Sequence, residues 1–137
     1  MNTIAIEVVT PERLVYRGEA RIVVARGVEG DLGILPNHIP LVTPLKIAPV
    51  VVKKANEGQE ETIAVSGGVM EVRKEKITIL AETAELPDTI DVDRALRAKE
   101  RAERRLAESG QEDFDFKRAQ LALQRAIMRL SVAQKGR

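Results

Sequence analysis

The chain has no cysteine and no tryptophan. Without cysteine there is no disulfide, no thiolate nucleophile and no Cys-based zinc centre, a composition that fits a reducing compartment. With two Phe and one Tyr as its aromatics, a core must be packed from Val, Ile and Leu, and few platforms remain for stacking bases. An excess of one charge is lacking too: the formal net charge is +1, which with so few aromatics argues against a nucleic-acid-binding module. The longest apolar run, residues 47–52, has six residues, where a spanning helix needs about 20. Met1, Asn2 and Thr3 lead into alternating Ile4, Ile6 and Val8, which reads as a first strand and not as a secretory signal. Membrane association is therefore expected only through a protein partner.

What is present is a change of pattern near Pro87. Up to Leu86 the apolar residues alternate or bunch in short runs with a period near two, the strand signal; beyond Asp91 they recur every three or four residues, the helical signal. The expected organisation is an all-β sandwich or flattened barrel over residues 1–86, a linker over 87–90 and an antiparallel helical hairpin over 91–137. Charge divides with it: twelve Lys and Arg against nine Asp and Glu from Asp88 onward, and ten against twelve before it.

Strands are expected at residues 3–9, from 14, at 20–26, 50–54, 62–65, 69–73 and 77–81, with residues 27–33 breaking the third, a polar hairpin segment at 55–58 and a tight charged turn at 74–76. Seven or more short strands with no helix between them leave no room for parallel crossovers, each of which needs a dozen or more residues. Gly27, Gly30 and Gly33 form a superficial GxxGxxG, but it has neither Rossmann spacing nor a following helix, so these glycines are read as turn formers with positive dihedrals. Ser66, Gly67 and Gly68 are not a GxSxG elbow. His38, the one histidine, lies between Pro36 and Pro40 and has no Cys partners and no triad pattern. It is either a structural loop residue or a partner contact, and a loop stiffened before binding loses less entropy on docking.

In the tail, Asp91 is placed to cap a first helix whose stripe is Val92, Ala95, Ala98 or Lys99, Ala102 and Leu106. Ser109 and Gly110 interrupt it. Asp113 or Asp115 would cap a second helix with the stripe Phe116, Ala119, Leu123, Ala126 or Ile127, and Leu130. An Ala-lined seam buries little area, so the hairpin is expected to be marginal alone. Arg94, Arg97, Arg101, Arg104 and Arg105 on the first helix, and Arg118, Arg125 and Arg129 on the second, fit a solvated face, an acidic protein surface or a polyphosphate.

Val9, Thr10 and Pro11, residues 33–41 reading GILPNHIPL, residues 66–72 reading SGGVMEV, and residues 116–130 reading FKRAQLALQRAIMRL carry a resemblance. Together they resemble the epsilon subunit of the bacterial rotary ATP synthase, the homologue of the mitochondrial delta subunit. The resemblance implies a non-catalytic central-stalk rotor subunit of the proton-translocating enzyme, peripheral at the cytoplasmic face of the cell membrane. Its sandwich would bind the gamma subunit and the c-ring, with Asp31 matching a c-ring contact and the His38 region a gamma contact. Its hairpin would be compact, or extended beside gamma to oppose ATP hydrolysis, with Arg118, Arg125 and Arg129 meeting the alpha and beta subunits. Ile90, Asp91, Val92, Asp93, Arg94 and Ala95 match the I(L)DxxRA motif of members whose compact hairpin binds ATP. By position, Glu85, Asp91, Arg94, Arg101, Arg118 and Arg125, with Arg129 at the rim, would hold ATP as a regulatory ligand, with or without magnesium. The alternative, a nucleotide-hydrolysing or phosphotransfer enzyme, lacks a phosphate loop, a metal cluster and a nucleophile with its base.

Overall fold

A computed structural model describes residues 2–56, 58–108 and 113–135. The chain divides into two compact units, Met1–Leu86 and Pro87–Arg137. Eight strands build the first: β1 (Ile4–Val9), β2 (Leu14–Ala20), β3 (Ile22–Gly27), β4 (Gly30–Ile34), β5 (Leu41–Lys53), β6 (Glu60–Val72), β7 (Lys76–Ala81) and β8 (Ala84–Glu85). They form one sheet ordered β2-β1-β7-β6-β5-β3-β4, with β8 beside β6.

The sheet folds over because β5 and β6 are long enough, at 13 residues each, to serve both layers. Residues 68–72 of β6 pair with β7, whereas Ala64 and Val65 pair with β8. Between these halves the backbone turns at Gly67 (φ 78°) and Gly68 (φ 133°), a region that side chains disfavour. Gly68 also lies directly on β7: a Cβ there would collide with the Leu80 carbonyl oxygen and approach the Ala81 Cα to 2.8 Å. Ser66 N–H donates to the Thr83 carbonyl at 2.9 Å and Glu82 N–H to the Gly67 carbonyl at 3.2 Å, which carries the pairing across the bend. Alternate residues then point inward from both halves. Ile4, Ile6, Val8, Ile77, Ile79, Met70 and Val72 meet Val23, Ala25, Val50, Val52, Ile63 and Val65 in one aliphatic core.

The sandwich and the hairpin expected from the sequence are both present, but several details differ. The pieces read as 50–54, 62–65 and 69–73 belong to only two strands. Pro44 and Pro49 interrupt the sequence signal without interrupting β5, because each has a ladder partner only in β6, where β3 has lost register, so no second ladder needs the missing N–H. Residues 27–33 do not end the pairing: Val28 and Glu29 make a tight turn into β4, with Gly27 opposite Gly30. Of the three glycines there, Gly30 alone has a positive φ. A parallel pair does occur, between β1 and β7. The crossover rule constrains consecutive strands, and here five strands form the connection.

In the second unit a 3-10 turn (Pro87–Thr89) packs on α2 and precedes α1 (Val92–Ala107) and α2 (Asp113–Lys135). Asp91 caps α1, its carboxylate accepting the Arg94 N–H at 3.0 Å. The Glu108 N–H closes the last turn on the Arg104 carbonyl at 3.2 Å; the expected stop at Ser109 and Gly110 lies outside the described residues. Asp113 is the first residue of α2, so Asp115 lies inside that helix and not at its cap. The helices pack together, and their short connection makes them antiparallel. Ala95, Ala102, Ala119 and Ala126 are buried, but Phe116 and Ile127 are about half exposed. The expected stripe on α2 is thereby corrected: alanine, the residue that permits close helix approach, takes the seam, and the larger residues flank it. A further buried set, Met128, Val132 and Ala133, was not visible in the stripe.

Candidate ligand and partner sites

Helix periodicity brings the tail arginines together. Each residue advances about 100° around the axis. Arg94 and Arg101 precede the buried Ala95 and Ala102 by one position, as Arg118 and Arg125 precede Ala119 and Ala126. In two antiparallel right-handed helices, the position just before the seam falls on the same flank of both. Four arginines thus share one flank of the hairpin. Arg129, three residues after Ala126, lies on that flank nearer the seam, and Asp91 stands at its head. The opposite flank carries Leu96, Glu103, Phe116 and Ile127 instead.

Among the described residues, the side chains of Arg94, Arg101 and Arg125 have no ion-pair or hydrogen-bond partner, whereas Arg118 and Arg129 have interactions of their own. Forked guanidinium donors on one flank suit an anion with several oxygens. Ile90 is buried and Ala95 lies in the seam, so of the motif residues these two serve packing, and Asp91 and Arg94 are the exposed polar ones. Glu85 lies apart from this set in the chain's division, on β8 opposite Ala64 in the sheet unit. No group of three or more His, Asp or Glu is placed to hold a metal among the described residues.

The sheet unit presents a different surface. Register aligns Leu14, Val9, Leu80, Val69 and Pro44 in one row across β2, β1, β7, β6 and β5, on the side facing away from the core. Leu80 is 58% exposed, Val42 on the same face 67%, and Ile39 in the preceding loop 76%. Sequence reading missed this patch, since alternation shows that some residues face outward but not which ones adjoin. Next to the row, Glu7 bridges Lys76 and Arg17, the latter at 3.0 Å. Hydrogen bonds from Lys76 and then Arg17 hold its carboxyl below the ordinary glutamate range.

Asp31 lies on β4 just past the turn, 3.8 Å from Arg26 Nε, in a depression lined also by Glu29, Leu32, Leu41 and Thr43. His38 ends a type II turn: Pro36 and Asn37 (φ 68°) are its central residues, and the His38 N–H donates to the Leu35 carbonyl at 3.2 Å. The Asn37 N–H donates to the Lys74 carbonyl at 3.2 Å, tying the loop to the β6–β7 turn. Asp31 and His38 share no hydrogen bond or ion pair among the described residues.

Fold and sites together define a two-unit protein, a β-sandwich with an outward apolar row and a helical hairpin with an arginine flank. Residues 3–87 match the family model described as ATP synthase, Delta/Epsilon chain, beta-sandwich domain, and residues 88–134 the model described as ATP synthase, Delta/Epsilon chain, long alpha-helix domain. The chain belongs to the ATP synthase delta/epsilon chain family, whose members are non-catalytic subunits of that complex. It is 60% identical over 135 residues to the ATP synthase epsilon chain of Alkalihalophilus pseudofirmus, covering 98% of this chain and 100% of the relative. The epsilon chain of an Exiguobacterium strain is 53% identical over 132 residues, 96% of each chain. The fold recurs, at 19% identity and a TM-score of 0.78, in a chain of the Euglena gracilis mitochondrial ATP synthase structure containing OSCP, F1 and c-ring, covering 96% of this chain and 81% of that one.

Proposed function

We propose that this chain is the central-stalk subunit that joins the c-ring to the catalytic head of a proton-translocating ATP synthase and senses ATP through its hairpin. The observation that carries the sensing role is the arginine flank. Arg94, Arg101, Arg118 and Arg125 come from two helices onto one side, and three of them have no partner among the described residues. Their donors would take the phosphate oxygens, while Asp91 fixes the first turn of α1 and would orient the base or the guanidinium groups. An extended hairpin would instead turn arginines of its second helix toward acidic surfaces of the alpha and beta subunits, where it would oppose hydrolysis. The apolar row and the His38 loop supply the gamma contact, and the Asp31 turn the c-ring contact. Membrane association at the cytoplasmic face follows from the complex, since no helix among the described residues is long and apolar enough to span a bilayer.

Equilibrium dialysis of the full chain with ATP tests the sensor. Stoichiometric binding is expected, weakened roughly tenfold or more in Arg125→Gln by loss of a charge-assisted contact. Absence of binding at millimolar ATP removes the sensing role and leaves the stalk role standing. Deleting residues 91–137 from the assembled enzyme should raise ATP hydrolysis; unchanged hydrolysis removes the inhibitory role.

A further inference from the structure

The loop between β4 and β5 is fixed in more than its backbone. His38 Nδ1 lies 2.6 Å from the Ile39 carbonyl oxygen. A carbonyl oxygen can only accept, so Nδ1 carries the proton and donates it there. The neutral ring then has its lone pair on Nε2, and no group among the described residues donates to that atom. Main-chain bonds fix the chain leading into the ring, from the His38 N–H to Leu35 and from the Asn37 N–H to Lys74. Leu35 and Ile39 in the same loop, and Val42 just after it in β5, are exposed apolar residues. A hydrogen-bond acceptor of fixed tautomer is thus presented among exposed apolar neighbours in the chain, on a loop whose conformation is decided before any partner arrives.

We infer that His38 determines specificity at this surface by presenting Nε2 as an acceptor to an N–H or O–H donor on the docked protein, which rests on the reading of this face as the gamma contact. Once covered by the docked protein, these apolar neighbours would exclude water from the contact, and an acceptor left without its donor there is costly. That cost discriminates against a surface offering a carbonyl or carboxylate at the same point. The docking partner is accordingly a protein face that is apolar around one donor.

The tautomer and the contact are tested separately. In the free chain, nitrogen NMR of the imidazole at neutral to alkaline pH should show the proton on Nδ1; a ring protonated mainly on Nε2 overturns the inference. For the contact, binding of the full-length chain to the gamma subunit is measured for His38→Gln and His38→Asn. Gln places an amide oxygen where Nε2 stood, whereas Asn reaches only the Nδ1 position. Gln should retain the parental affinity within about twofold, and Asn should lose roughly tenfold, the scale of one hydrogen bond with its acceptor left unmade. Equal affinities for Gln and Asn overturn the inference. Leu80→Glu serves as the control for docking itself. If it abolishes binding while the His38 variants are alike, the face is the contact and His38 does not select; if it leaves binding intact, the docking reading falls and the selectivity with it.

Discussion

Each of the two units is held together internally by a different kind of side chain. The sandwich buries Ile4, Ile6, Ile63, Ile77, Ile79, Met70 and a set of valines in a single cluster. The hairpin meets along Ala95, Ala102, Ala119 and Ala126. Complete burial of an Ile or Val side chain contributes about 1.5–3 kcal/mol, and a single methyl group about 0.8. One sequence therefore contains a firmly packed anchor and a thinly packed hairpin, the contrast that the proposed stalk and sensing roles would require of a fixed part and a lever. Population shifts need states a few kcal/mol apart, and the alanine seam is the region able to supply them.

The largest test of this contrast falls on the bend. Gly68→Val places a side chain against the Leu80 carbonyl and Ala81 Cα in a backbone conformation reserved for glycine. Because the obstruction is backbone, nothing flexible can yield, and a loss of about 4 kcal/mol or more is expected in urea unfolding of the sheet. A variant with the parental midpoint would show that the sheet does not depend on this bend.

The next test compares the cores directly. Ile79→Ala should cost about 2–5 kcal/mol through lost burial and a cavity, whereas Ala126→Gly at the seam should cost about 1–2 kcal/mol through lost helix propensity and a methyl group. Following strand and helix signals separately by circular dichroism should place the first loss in the sheet and the second in the helices. Equal losses, or one merged transition shifted alike by both, would erase the distinction between anchor and lever.

How far the sequence revealed this arrangement depends on the range of the interaction. Alternation in β1 and β7 and the spacing of Ala95 and Ala102 are local, and they were legible. The lengths of β5 and β6 were not, because Pro44, Pro49, Gly67 and Gly68 are local breakers whose effect is cancelled by where neighbouring strands lie. The parallel β1–β7 pair and the outward row through Val9, Leu80 and Val69 depend on register between distant segments, which periodicity does not encode. On α2, the stripe favoured Phe116 by hydrophobicity, although close helix approach selects for small residues. The arginine flank was partly legible: spacing put the residues on one side of each helix, and the antiparallel pairing makes those sides coincide. The tautomer of His38 required coordinates, since it follows from a single carbonyl oxygen.

The smallest expected effect is a pH dependence confined to the anchor. Glu7 is gripped by Lys76 and Arg17, and its folded carboxyl titrates below the ordinary value that the unfolded chain retains. A depressed folded pKa means that the unfolded chain takes up this proton first as the pH falls. The stabilisation is therefore complete above the ordinary glutamate range and disappears as pH falls through the folded value. Glu7→Gln removes the bridge at every pH. The parental chain should be slightly the more stable at neutral pH, and the two midpoints should converge in acid, with the change read in the strand signal and not in the helical one. The partners are largely exposed, so solvent screening keeps the difference small, and added salt should shrink it further. A difference that persisted unchanged into strong acid would assign Glu7 a packing role in place of an ionic one.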